Sequence, residues 1–114
     1  MENAVVVLCT FPDIDQARQI GAALVERQVA ACVNLFPGVE SIYRWEGKTE
    51  RADEVLGIVK TTRYADLEAA ILELHPYEVP EILALPVAAG SAAYLNWLGE
   101  ACPGLSASGH RSRP

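Results

Sequence analysis

The sequence predicts one α+β domain of strand–helix–strand–strand–helix–strand order, and three features lead there. Val5-Val6-Val7-Leu8 is a β-branched run of the kind buried on both faces of a central strand. Two stretches of helical apolar spacing follow, one starting near Asp13 and one near Tyr64, each flanked by extended segments. Between them, two extended stretches meet at Glu46-Gly47-Lys48 and form a long hairpin.

The first strand is expected over Ala4–Thr10 and stops at Pro12-Asp13. Asp13 with Gln16 three residues on resembles a capping box, and an acidic first turn suits the helix dipole. Ile14, Ala17, Gly21, Leu24 and Gln28 share one helical stripe, widened by Ile20 and Val25, which places helix one over Asp13–Gln28. Ala30–Leu35 is the second strand, interrupted by a bulge or bend at Pro37-Gly38 and resumed through Val39–Trp45. The returning strand is expected over Glu54–Thr62. Tyr64, Leu67, Ile71 and Leu74 mark helix two, which His75-Pro76 ends because the residue before proline avoids helical backbone. Tyr77–Pro80 is a rigid crossing loop, Glu81–Val87 a fourth strand, and Tyr94–Cys102 a short terminal helix. Residues 1–102 therefore form the domain, and the Gly-, Ser- and Pro-rich stretch 103–114 is expected to be a flexible tail.

At 114 residues, 51% apolar and 21% charged, the chain has the composition of one globular domain. The net charge is −6 and the one basic cluster is His110–Arg113, which argues against a nucleic-acid partner. No run approaches the roughly 18 apolar residues of a membrane span. The start, Met1-Glu2-Asn3, lacks the basic flank of a signal peptide, so a cytoplasmic location is expected. Cys9, Cys32 and Cys102 are an odd set with no C-x-x-C pair, which suits a reducing compartment. No phosphate-binding glycine loop, nucleophile elbow or zinc-protease motif is present, and no enzyme is expected.

The predicted order gives a four-stranded antiparallel sheet with both helices on one face, a ferredoxin-like sandwich. Its other face is bare although the strands carry apolar residues at both parities, and the long hairpin leaves a strand edge unpaired. Self-association resolves both problems.

Three clusters carry candidate chemistry. On the hairpin, Tyr43 and Trp45 share a face by parity, as do Glu54 and Lys60, and a register opposing Trp45 to Glu54 joins them. That set is either a pocket for a small polar ligand or a stabilising cross-strand group. The second cluster is His75-Pro76-Tyr77-Glu78-Val79-Pro80-Glu81, a proline-stiffened loop whose histidine is a ligand or a helix-end partner. The third is Cys9, near a strand end, either a ligand for a soft metal such as copper or a small buried hydrophobe.

The ordered series Val-Val-Leu-Cys-Thr-Phe-Pro-Asp (6–13), Ala-Ala-Cys-Val-Asn (30–34), Tyr-Arg-Trp-Glu-Gly-Lys (43–48), Lys-Thr-Thr (60–62), His-Pro-Tyr-Glu-Val-Pro-Glu-Ile (75–82) and Tyr-Leu-Asn-Trp-Leu (94–98) resembles the CutA divalent-cation tolerance family over about residues 4–100. The resemblance implies a ferredoxin-like fold assembled as a homotrimer, similar in architecture to PII signalling proteins. It also implies a non-catalytic role in tolerance to copper and other divalent cations. Carried over residue by residue, it makes Cys9 and His75 metal ligands, with Glu78 or a neighbouring subunit completing the shell. Leu74 stands where some members have a further histidine. It places Tyr43, Trp45, Glu54, Lys60, His75 and Tyr77 in a cleft between subunits. The other roles it leaves open are a PII-like sensor of a small anionic metabolite through Lys60, and a trimeric scaffold for partner proteins.

Overall fold

The computed structural model describes residues 4–103, so the expected tail beyond Pro103, with its basic cluster, lies outside the described residues. The elements are β1 (Val5–Phe11), α1 (Ile14–Glu26), β2 (Cys32–Trp45), β3 (Lys48–Thr61), α2 (Tyr64–Leu74), β4 (Leu83–Pro86) and α3 (Ala92–Ala101). The strands form one antiparallel sheet of order β2-β3-β1-β4, so the β-branched run is central, paired with β3 on one side and β4 on the other.

One face of the sheet carries the core. Val7, Cys9 and Phe11 of β1 and Val55 and Val59 of β3 pack against Ala17, Ile20 and Leu24 of α1 and Leu67, Ala70 and Ile71 of α2. A smaller cluster joins Ala31 to Leu98 and Cys102, seating α3. The register places Leu8 with Ile58 and Leu83 on the opposite face, alongside Val6, Leu85, Leu56 and Phe36. The β1 run is thus buried on its helix face, while Val6 and Leu8 remain half-buried on the other.

Helix α1 shows how local chemistry sets its ends. The Asp13 carboxylate accepts the Gln16 backbone N–H at 2.8 Å, and the Gln16 amide returns a bond to the same carboxylate at 2.9 Å. These bonds hold the Asp13 carboxyl below its ordinary range. The helix closes at Glu26 rather than running to Gln28. Gln28 N–H reaches Val25 C=O, Val29 N–H reaches Leu24 C=O, and buried Val29 and Leu24 supply the accompanying apolar pair. Gln28 sits at φ 63°, a left-handed position that glycine fills without steric cost. Gln28→Gly is therefore expected to raise stability by about 1 kcal/mol, read as a higher denaturation midpoint at constant slope. An unchanged or lower midpoint would show that Gln28 contributes more through its side chain than its backbone costs.

The hairpin corrects the predicted register. β3 begins at Lys48, not Glu54, because Glu46 (φ 50°) and Gly47 (φ 82°) form a two-residue turn with both φ positive, the type that matches strand twist. Trp45 therefore faces Lys48, and Glu54 faces Val39. Arg51 pairs with Glu40 across the added ladder. The expected interruption at Pro37-Gly38 is a bulge: between Phe36, opposite Leu56, and Val39, opposite Glu54, β2 advances three residues while β3 advances two. The extra residue flips the parity of everything beyond it. Before the bulge, odd-numbered Val33 and Leu35 pack on the core; after it, odd-numbered Tyr43 and Trp45 share the face of Glu54. The other boundaries shift less. β4 covers only Leu83–Pro86, and α3 starts at Ala92 because the Ser91 hydroxyl caps Tyr94 N–H at 3.2 Å.

Candidate functional site

The bulge and the proline-bounded loop after α2 converge on one cleft of about 530 Å³. Tyr43 and Trp45 reach it from the distal half of β2, Glu54 from β3, and Tyr77, Glu78 and Glu81 from the loop. At its base the Tyr77 hydroxyl donates to Glu54 Oε2 at 2.6 Å. Burial first, then that bond and the charge of Glu54, push the Tyr77 phenol well above its ordinary range, so it stays a donor.

Tyr77 is placed by His75. Its backbone N–H donates to His75 Nδ1 at 3.1 Å, so Nδ1 is the acceptor nitrogen. The proton then sits on Nε2, which donates to Thr10 C=O at 2.8 Å. The ring also stacks on Phe11 with centroids 5.2 Å apart. A chain of contacts thus runs from the end of β1 through His75 to Tyr77 and Glu54.

This arrangement tests the proposed metal ligands. Both His75 nitrogens are taken by backbone groups and the ring is buried. Cys9 is fully buried in the core, and burial, then the charges of Glu81 and Glu54, push its thiol up to about 12. A metal needs an accessible sulfur and a free imidazole nitrogen, so fully buried Cys9 and doubly bonded His75 do not fit one as the chain stands. Glu78 lines the cleft, apart from the buried thiol. Among the described residues no group of three or more His, Cys, Asp and Glu side chains gathers closely enough to hold a metal ion.

Of the predicted cleft residues, Tyr43, Trp45, Glu54 and Tyr77 come together within one chain, and His75 supports them. Lys60 does not join them. It lies six residues from Glu54 along β3, roughly 20 Å at about 3.3 Å per residue, and bonds the Asn34 side chain. Its parity matches Glu54, but strand length separates the two. Thr10 and Ser41 also line the cleft and were not anticipated. Ser41 stands two residues from Tyr43 beyond the bulge, so plain strand parity was the signal that would have found it. Among the described residues no helix is long and apolar enough to cross a membrane.

Comparison with known proteins gives one consistent answer. The family model for "CutA1 divalent ion tolerance protein" matches residues 5–101. The divalent-cation tolerance protein CutA of Thermus thermophilus is 53% identical over 97 residues, covering 83% of this chain and 94% of that protein. Its counterpart from Pectobacterium atrosepticum is 45% identical, covering 84% and 89%. Among solved structures, CutA1 from Oryza sativa superposes with a TM-score of 0.86 at 36% identity, covering 90% of this chain and 95% of that one. The Thermus thermophilus protein does so with a TM-score of 0.84 at 48% identity, covering 88% and 99%. The matched span takes in the whole sheet, both core helices, the bulged hairpin and the cleft loop, and on that ground the chain belongs to the CutA1 divalent ion tolerance protein family.

Proposed function

We propose that this chain acts in divalent-cation tolerance as a non-catalytic binding protein, working as a homotrimer with its cleft beside the subunit boundaries. The observation that carries the assembly is the sheet face opposite the helices. Phe36 (47% exposed), Leu83 (57%) and Leu85 (51%) stand on it around half-buried Leu8, Leu56 and Ile58, an apolar surface that water disfavours. Among the described residues both edge strands, β2 and β4, also have one unpaired side, and the distal hairpin gives the described residues a length of 50 Å. A second and third copy covering that face and pairing those edges would complete the ferredoxin-like sandwich. Tolerance to copper or another divalent cation is assigned to the assembled protein and its cleft, with Cys9 and His75 as structural supports. An anionic metabolite finds little support, since the cleft gathers Glu54, Glu78 and Glu81 and among the described residues is lined by no Lys or Arg.

Light scattering at low micromolar concentration should return three times the 12.3 kDa chain mass. A cooperative, folded monomer would overturn the assembly. Expression in a copper-sensitive bacterial strain should restore growth on copper, and Cys9→Ala should restore it equally. Loss of rescue in a folded Cys9→Ala protein would return the thiol to the metal site.

A further inference from the structure

The sheet face opposite the helices carries two charges of opposite sign that cannot meet within one chain. Lys60 shares a row across the register with Cys32, Val6 and Leu85, and the next row is Asn34, Ile58, Leu8 and Leu83. It is a half-buried ammonium in a largely apolar surface, bonded to the neutral Asn34 side chain and paired with no carboxylate among the described residues. Glu54 stands on the same face and is the one buried carboxylate among the described residues. It lies six residues away along β3, roughly 20 Å at about 3.3 Å per residue. In a lone chain, water can serve the lysine and reach the cleft beside Glu54. Copies that cover this face exclude that water, and a charge taken from water is costly unless an opposite charge replaces it.

We propose that Lys60 of the partner subunit pairs with Glu54, so that each cleft is closed by a charge from the neighbouring copy. The proposal rests on the homotrimer. A closed ring of three is built from head-to-tail contacts, in which a patch on one copy meets a different patch on the next. A chain with a cation at one place on its covered face and a carboxylate at another has what such a contact needs. Each copy gives its lysine to one neighbour and its carboxylate to the other. Glu54 is the partner rather than Glu78 or Glu81, because those two are exposed and keep their water. The pair sets which way the copies sit more than how tightly they hold, since a desolvated ion pair gains little net stability while an unmatched one loses much. Lys60 is thus a positioning residue, fixing Glu54 and through it the Tyr77 hydroxyl that donates to Oε2.

The test is a double-mutant cycle on the full-length protein, read by light scattering as the concentration at which the assembly falls apart. Glu54→Gln keeps an acceptor for the Tyr77 hydroxyl, and Lys60→Met keeps most of the apolar stem, so each removes a charge with little change of shape. Either alone strands the opposite charge and should raise that concentration at least about tenfold, the scale of a charge orphaned at an interface. The two together strand neither and should fall within about threefold of wild type. Positions this far apart in one chain do not couple, so without a contact between copies the double variant would carry both losses. Lys60→Arg keeps the charge and should assemble as wild type does. Additive losses, single variants that assemble like wild type, or a Lys60→Arg protein as weak as Lys60→Met would each overturn the pairing. Wild-type scattering keeps the two proposals apart. A folded wild-type monomer would sink the trimer itself, whereas a wild-type trimer whose variants lose additively would sink the pair and leave the trimer.

Discussion

Replacing Phe11 by alanine is expected to lower stability by about 3–5 kcal/mol. Phe11 is fully buried at the end of β1, and its ring fills the space left by Gly57, its diagonal neighbour on β3. A Cβ built on Gly57 would stand 2.8 Å from Phe11 Cε2 and 3.4 Å from Cys9 C=O, so the sheet accepts the ring only because Gly57 has no side chain. Removing the ring therefore leaves a cavity in the core beside a glycine that has no side chain to fill it. It also removes the stack that steadies His75, which in turn aims Tyr77 at Glu54. The loss should appear as a lower denaturation midpoint at constant slope, with protein concentration held fixed because assembly adds to apparent stability. Gly57→Ala alone should cost about 1–3 kcal/mol through overpacking, but in the Phe11→Ala background it should cost little or nothing. Strict additivity of the two changes would show that ring and glycine do not share the space.

That coupling was outside the reach of sequence patterning, and the reason is general to this chain. Val5-Val6-Val7-Leu8 announced a central strand because burial on the sheet selects one residue type in a row. Helix α1 was legible because its stripe and its Asp13 cap are local. Its end was not, since Gln28 is an uncommon occupant of a left-handed position. Lys48–Asp53 gave no strand signal because Lys, Thr, Glu, Arg, Ala and Asp carry no apolar alternation. Those residues are strand because a two-residue turn fixes their partners and Arg51 meets Glu40 across the ladder. The same error misplaced Trp45 opposite Glu54. The residues of the cleft were nonetheless mostly recognised, because aromatic and acidic side chains on a hairpin and a proline-stiffened loop stand out by residue type and parity. The position of Lys60 was missed because parity records a face and says nothing of distance along it. The bareness of the second sheet face followed from the order of elements alone, and the exposed Phe36, Leu83 and Leu85 fall on it.

Between pH 9 and 12, folding stability should fall in a way that a Cys9→Ala variant does not share. Inside the fold the Cys9 thiol is raised from its ordinary 9.0 to about 12, by burial first and then by the charges of Glu81 and Glu54. A raised acid favours the folded state only while its proton stays on. Below about pH 9 the thiol is protonated in both states and its full contribution is present. As pH climbs, the unfolded chain ionises and the folded one does not, so the contribution drains away and is gone near pH 12. Each tenfold change in proton affinity is worth about 1.4 kcal/mol, which sets an upper value of roughly 4 kcal/mol for the whole window. Tyr77 is shifted in the same direction from its ordinary 10.0, so part of the alkaline loss is its own. The readout is therefore the difference between wild type and Cys9→Ala in midpoints measured across the window, with Tyr77→Phe as the parallel control. Curves that run parallel from about pH 8 to pH 11 would mean that the folded thiol ionises as freely as the unfolded one. The same proton bears on the metal. A thiol that keeps its proton through neutral pH yields it only to a cation that displaces it, and the folded thiol ionises by itself only where the difference between wild type and variant stops growing, near pH 12.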